Sequence, residues 1–155
     1  MSNDITDITR QLVEQTADSI IFADGEGRIR IWNAAAEALF GFSREEAIGQ
    51  SLDLIIPERL RAAHWEGFHR AVANGRTRLG GRAVITRSLN AAGATIYVEM
   101  SFALVSDERG EVLGSVAMAR DATQRREDER QLQQRIRALE EESAMRAAQP
   151  GQQST

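Results

Sequence analysis

Residues 31–49 read Ile31-Trp-Asn-Ala-Ala-Ala-Glu-Ala-Leu-Phe-Gly-Phe-Ser-Arg-Glu-Glu-Ala-Ile-Gly49. This stretch predicts two short helices in succession. Asn33 can cap the first helix because its side chain accepts hydrogen bonds from free backbone N–H groups, and Gly41 ends it. Ser43 and Glu46 stand three residues apart in the pattern of a capping box, which predicts the start of the second helix.

The flanking segments predict the remaining elements. An amphipathic helix is expected over residues 4–17, where apolar side chains recur at helical spacing, and a β-hairpin over residues 19–33. Pro57 fits the first turn of a longer helix, which Gly75 ends. Three strand-like runs follow, over residues 78–89, 95–106 and 111–121.

This order of elements predicts the fold class. A hairpin, then helices, then a three-stranded meander gives an α+β fold, in which short helices cover one face of a five-stranded antiparallel sheet. Helices flank the sheet domain at both ends. The predicted parts are an N-terminal amphipathic helix over residues 1–18, the sheet domain over 19–121, a signalling or coiled-coil helix over 122–146 and a disordered tail over 147–155.

The C-terminal helix carries a short heptad pattern. Leu132, Ile136 and Leu139 are spaced by four and three residues and are flanked by Glu, Gln and Arg. This spacing is typical of the apolar seam of a coiled coil. It indicates a second copy of the chain as the partner.

Composition excludes several classes of protein. The 155 residues include no cysteine and two histidines, so a disulfide scaffold, a thiolate zinc site and an iron–sulfur cluster are excluded. A formal net charge of −4 gives no basic face for nucleic acid. The sequence contains neither an apolar run long enough to span a membrane nor a signal-peptide pattern, which predicts a cytoplasmic protein.

The sequence resembles the PAS domain family. Residues 31–49 resemble the N-terminal half of a PAS domain, and residues 119–123, Ala-Arg-Asp-Ala-Thr, are similar to the element that joins PAS domains to a signalling helix. The likeness covers roughly residues 10–124. It implies a sensory and dimerising module that binds haem, a flavin, another small molecule or nothing, and that homodimerises through its flanking helices.

A narrower resemblance concerns residues 54–64, which are similar to the haem-bearing PAS oxygen sensors of the FixL and Dos type. In those families a Pro, an Arg four residues later and a His seven residues later lie on one helix, and Pro57, Arg61 and His64 match this spacing. The resemblance implies that His64 is the axial ligand of haem b. It also places Arg82 near the position of the group that faces bound gas, although these families keep a Met at that position or an Arg two residues further on.

Helical geometry gives a separate test of His64. At about 100° per residue, His64 falls in one apolar stripe with Leu60 and Phe68, whereas Trp65 and His69 fall on the opposite face. An inward imidazole suits a haem iron. The alternative is a core histidine that is hydrogen-bonded to a backbone carbonyl.

Other apolar residues are candidates for lining a cofactor pocket. Trp32 can stack on a planar ligand, although an aromatic residue here also suits the core. If side chains alternate regularly along the last two strands, one face of them lines the pocket. The remaining candidate lining residues are Leu79, Leu104, Val116 and Met118.

Two functions remain open at this point. The first is a haem-binding gas (oxygen) or redox sensor, in which Asp121 and Thr123 pass a ligand-dependent change to the C-terminal helix. The second is a PAS dimerisation and protein-interaction module that holds FAD, FMN, another small molecule or no cofactor. No nucleophile or acid–base constellation is present, so an enzyme is not expected, and the downstream signalling protein is not identified by the sequence.

Overall fold

A computed structural model of the chain describes residues 4–149 and residue 151. The chain divides after Ala122 into two compact units. In the first unit the elements are α1 (Ile5–Gln15), β1 (Ser19–Asp24), β2 (Ile29–Trp32), α2 (Ala34–Phe40), α3 (Arg44–Ala47), a 3-10 helix (Leu52–Ile55), α4 (Glu58–Asn74), β3 (Val84–Leu89), β4 (Thr95–Ser106) and β5 (Val112–Asp121).

The strands of the described residues form one antiparallel sheet with the order β2-β1-β5-β4-β3. This arrangement confirms the predicted α+β fold class and the five-stranded sheet. Because β1 and β5 are central neighbours, Ser19 at the start of β1 pairs with Ala119 near the end of β5. The chain therefore enters the sheet in β1 and leaves it from β5 at neighbouring positions.

Helix caps explain the short helices α2 and α3. The side chain of Asn33 accepts a hydrogen bond from the backbone N–H of Ala36, and Gly41 ends α2 with a left-handed φ of 78°. At α3 the predicted capping box is present: Ser43 Oγ accepts from the N–H of Glu46, and Glu46 Oε2 accepts from the N–H of Ser43. These short-range hydrogen bonds fix where each helix begins.

Strand β3 is shorter than the strand predicted over residues 78–89. The expected strand starts at residue 78, but the observed strand starts at Val84. Gly80 and Gly81 adopt left-handed φ angles of 57° and 82°, which extended strands do not use. A turn therefore separates α4 from β3, and the N–H of Arg82 donates to the carbonyl of Leu79 within it.

Asn33 ties three elements together from inside the core. Its side chain is fully buried, and its Oδ1 accepts hydrogen bonds from the N–H groups of Ile20 and Ala36 at 2.9 and 3.0 Å. Its Nδ2 donates to the carbonyls of Val13 and Asp18 at 2.8 and 3.0 Å. One buried amide thus connects the end of α1 with β1 and α2.

The second unit consists of the helix α5, Thr123–Ala148, and the residues that follow it. No residue of α5, all of which the structure describes, is buried. The predicted seam residues Leu132, Ile136 and Leu139 are 60%, 46% and 57% exposed. Part of the predicted tail, Ala147 and Ala148, is helical, whereas residues 150 and 152–155 lie outside the described residues. Within the described part of the chain, no helix combines the length and apolar character that crossing a membrane requires.

Candidate ligand site around His64

His64 lies on helix α4, on the helix-covered side of the sheet. The helix begins after the buried Pro57 and ends at Gly75, whose φ of 67° is left-handed. Among the 17 residues of α4, all described by the structure, Phe68 is the one that is buried. Most of the helix surface is therefore open to solvent.

The imidazole of His64 is partly buried against two aromatic rings. It meets Trp65 edge-on, with 4.9 Å between ring centroids, and stacks on Phe68 at 6.2 Å. Its Nδ1 atom is buried and has no hydrogen-bond partner among the described residues. A buried polar atom without a partner is unusual and calls for an explanation, such as a ligand.

The surroundings of His64 favour its neutral form. Burial lowers its pKa because desolvation disfavours the imidazolium, the negative charge of Asp53 opposes this effect, and the positive charge of His69 adds to it. The net direction is downward. A neutral imidazole keeps a lone pair that an iron can accept.

Trp65 belongs to this site, and its predicted position on the opposite face of α4 is wrong. Its Nε1 donates a 2.8 Å hydrogen bond to Oδ1 of Asp53, and its ring packs against the core. The inward stripe is centred near Phe68, which lies one turn from Trp65, so Trp65 lies within it and Gly67 is exposed. The predicted stripe of Leu60, His64 and Phe68 was therefore displaced from the observed inward face.

Arg61, the middle residue of the Pro–Arg–His pattern, has a structural contact of its own. Its guanidinium donates to the backbone carbonyl of Ile56 at 3.1 Å and to that of Asp53 at 3.3 Å. These bonds fasten the first turns of α4 to the 3-10 helix. Arg61 therefore helps to set the direction in which α4 leaves that helix.

The register of β4 and β5 divides the predicted pocket residues between two faces. Leu104 pairs with Ser115, and Ser115 shares its face with the buried Ala117 and Ala119, so Leu104 lies on the helix-covered face. Val116 and Met118 alternate with these residues and lie on the other face, where Met118 is 41% exposed. The prediction that Val116 and Met118 face the same pocket as Leu104 is wrong.

The other candidate lining residues lie in different surroundings. Leu60 and Leu79 are half-buried, and Arg82 is exposed in the turn before β3. Trp32 is 1% exposed, packs on Phe40 at 5.5 Å and donates its indole N–H to the carbonyl of Phe42. Trp32 thus sits in the core with its polar atom satisfied.

A large groove lies away from His64, between α1 and the β2–α3 region. Its volume is about 650 Å³, and a second groove of about 360 Å³ runs along α1. Three apolar residues of α1 remain exposed beside these grooves: Ile5, Ile8 and Leu12. Among the described residues, no group of three or more His, Asp or Glu side chains could hold a metal ion. Haem needs fewer ligands from the protein, because its macrocycle supplies the equatorial ones.

Comparison with known proteins identifies the family. A family model described as the PAS fold matches residues 8–122. The chain therefore belongs to the PAS fold family. The structure is similar to that of the PAS domain of a protein from Colwellia psychrerythraea, with a TM-score of 0.68 and 25% sequence identity over 78% of this chain and 99% of that one.

Two relatives are named as sensors. The chain is 30% identical over 128 residues to the oxygen sensor protein DosP of Escherichia coli strain K12, which is 83% of this chain and 16% of DosP. It is 42% identical over 55 residues to the sensor protein FixL of Bradyrhizobium diazoefficiens, which is 36% of this chain and 11% of FixL. The chain thus corresponds to a small part of each relative.

Proposed function

We propose that the chain is a haem-binding sensor of a diatomic gas such as oxygen, or of redox state, with His64 as the axial ligand. The observation that carries this proposal is the buried Nδ1 of His64, which has no partner among the described residues. His64 also stands in the Pro–Arg–His pattern, and the chain is similar to a relative named as an oxygen sensor. Its imidazole is held neutral, as an axial ligand must be.

In this proposal the haem lies against apolar side chains on the side of α4 that carries His64. The iron of bound haem would supply reversible binding of a diatomic gas. Phe68, Leu60, Leu79 and Leu104 supply apolar surface on α4, the turn and β4. Arg82, which is exposed in that turn, supplies a cationic hydrogen-bond donor toward bound gas.

Signal output in this proposal passes through β5 into α5. A ligand that binds one arrangement of the sheet better than another shifts the population toward it. Asp121 ends β5 and Thr123 begins α5, so a displacement of β5 is transmitted along the chain to the helix. The exposed apolar residues of α1 and α5 support homodimerisation through both helices, and the receiver is a downstream signalling protein.

A second candidate function is a PAS interaction module that holds a flavin, another small molecule or no cofactor. The packing of the core favours it: Ile55 and Met100 are each 5% exposed, and Val98 is fully buried among protein atoms. A core that is already covered does not require a cofactor for stability. In this alternative the chain acts through its helices alone and has no catalytic role.

Titration of the purified protein with haemin tests both functions. The first predicts a Soret band at one haem per chain and loss or displacement of that band in His64→Ala. Added imidazole restores the band in this variant, because the free ligand occupies the place of the deleted side chain. His69→Ala is the matched control, because His69 is exposed on the same helix.

Each result decides between the functions. A Soret band that is unchanged in His64→Ala contradicts the role of His64. A titration in which the broad Soret absorption of free haemin is neither shifted nor sharpened by the protein contradicts the haem proposal and favours the second candidate. Flavin absorption in the purified protein identifies the flavin-bound form of that candidate.

A further inference from the structure

Helix α4 has one buried side chain and is otherwise held by half-buried ones, among them Arg61, Trp65 and Val72. Ala62, Ala63, Glu66 and Gly67 are exposed, and Phe68 is the buried residue of this fully described helix. A segment with so little buried surface opens locally more easily than the strands of the core do. The contacts that fix the rotation of α4 about its axis therefore decide whether the imidazole of His64 stays turned inward.

Trp65 connects α4 to two other elements. Its indole N–H is hydrogen-bonded to Asp53 of the 3-10 helix at 2.8 Å. At the β1–β2 turn its ring lies over Gly27, where a Cβ would come within 2.2 Å of the indole. Only a glycine leaves room for this ring, and Gly27 also has a left-handed φ of 78°.

His64 lies at the edge of the inward face of α4. Ala63 and Gly67, which precede and follow it on the solvent side, are exposed, whereas Trp65 and Phe68 face inward. A modest rotation of the helix about its axis would carry the imidazole to solvent. The hydrogen bond from Trp65 to Asp53 and the packing of its ring on Gly27 join α4 to other elements and oppose that rotation.

We propose that Trp65 is a positioning residue, which clamps α4 against Gly27 and Asp53 and thereby keeps the imidazole of His64 turned inward. The clamp does not depend on a bound ligand. Its consequence for ligand binding rests on the proposed function: a clamped His64 is preorganised for its ligand, and loss of the clamp speeds release of haem.

Chemical modification of histidine tests the clamp in protein without haem. The sequence has two histidines, so mass spectrometry separates the reaction of diethyl pyrocarbonate with His64 from its reaction with the exposed His69. In the wild type, His64 reacts more slowly than His69. In Trp65→Ala it reacts about tenfold faster than in the wild type, because one aromatic pair and one hydrogen bond are lost.

Two further variants separate positioning from general destabilisation. Trp65→Phe keeps an aromatic ring next to His64 but loses the hydrogen bond to Asp53 and the outer indole atoms that lie over Gly27, and it restores only part of the protection of His64. Phe42→Ala removes a half-buried aromatic ring that packs on the core outside α4. It lowers the unfolding temperature and leaves the reaction rate of His64 unchanged.

The results distinguish the clamp from the haem proposal. A reaction rate of His64 that is the same in Trp65→Ala as in the wild type overturns the clamp, whether or not haem binds. Protection lost in Phe42→Ala to the same degree as in Trp65→Ala also overturns it. Absence of a shifted or sharpened Soret band contradicts the haem proposal alone, and faster haem release from loaded Trp65→Phe or Trp65→Ala supports the link between the two.

Discussion

Arg120, near the end of β5, is paired with Asp18, which lies just before β1 and 102 residues earlier in the sequence. The guanidinium binds the carboxylate through two hydrogen bonds, one from Nε and one of 3.1 Å from Nη2. Asp18 also accepts a hydrogen bond from the buried Asn33 through its backbone carbonyl. The segment between α1 and β1 is thus held both to the core and to the strand that leads to α5.

Arg120→Gln should loosen this segment without unfolding the domain. The Arg120 side chain is 70% exposed, and ion pairs at such sites contribute little to stability. We expect faster amide exchange at residues 16–19 and a small change in Tm. Arg109→Gln, at an exposed turn, is the control. Unchanged exchange at residues 16–19 would show that the pair does not order them.

Asn33→Ala should be among the most destabilising single substitutions in the chain. It leaves four buried or partly buried backbone groups without the partner that the amide provides. We expect a loss of about 3 kcal/mol in the free energy of unfolding, measured by urea denaturation. Asn74→Ala, at the exposed end of α4, should change it little. Equal effects of the two variants would contradict the assigned role.

Gly114→Ala and Gly67→Ala should shift stability in opposite directions. A Cβ on Gly114 would lie 2.0 Å from the carbonyl oxygen of Ala23, so the pairing of β1 with β5 must distort, at a cost of about 2 kcal/mol or more. Gly67 is exposed on α4 and has open space around it, so alanine there should stabilise the protein by about 0.5 kcal/mol. Thermal unfolding of both variants checks the two signs.

Protonation of His64 should make stability depend on pH. Burial lowers its pKa in the folded state, so the unfolded chain binds the proton more tightly. The stabilising contribution is present above the unfolded pKa of about 6.5 and is lost as the pH falls through the folded value. The wild type should therefore lose stability relative to His64→Leu as the pH falls below about 6.5, measured as the difference between their free energies of unfolding. A curve for His64→Leu that runs parallel to the wild-type curve would exclude His64 as the titrating group.

Ile136→Asp should weaken the proposed homodimer, because it places a charge in the seam of α5 between Leu132 and Leu139. Gln134→Asp adds the same charge on the other side of this exposed helix and should leave the dimer intact. Light scattering after gel filtration gives the mass of each variant. A monomeric wild type, or dimers of equal stability in both variants, would contradict association through this seam.

Local signals account for what the sequence predicts of the fold. The ends of α2 and α3 depend on caps made within three residues, and such patterns can be seen without tertiary structure. The start of β3 was predicted too early. Residues 78–83 read Arg-Leu-Gly-Gly-Arg-Ala and are poor in strand-forming residues, and Gly80-Gly81 is a turn signal that the predicted strand overrode.

The site was less predictable because it depends on how the helix-covered face is formed. Periodicity indicated an inward His64, but the centre of the inward stripe of α4 depends on contacts with the 3-10 helix and the β1–β2 turn. The one sequence signal for Trp65 was an aromatic residue three positions before Phe68, on the same side of a helix. Along β5 the apolar residues Val116, Ala117, Met118 and Ala119 occur on both faces, so no alternation indicated which ones face α4.

The pairing of Ser19 with Ala119 makes the sheet domain a candidate for circular permutation. Directly opposed residues in an antiparallel pair lie about 5 Å apart, so a linker of a few residues could join the two ends of the domain. New ends could be opened at the exposed turn that contains Glu108 and Arg109. Such a permutant would keep every pair of neighbouring strands. The sheet domain would no longer be joined to its two flanking helices, α1 and α5.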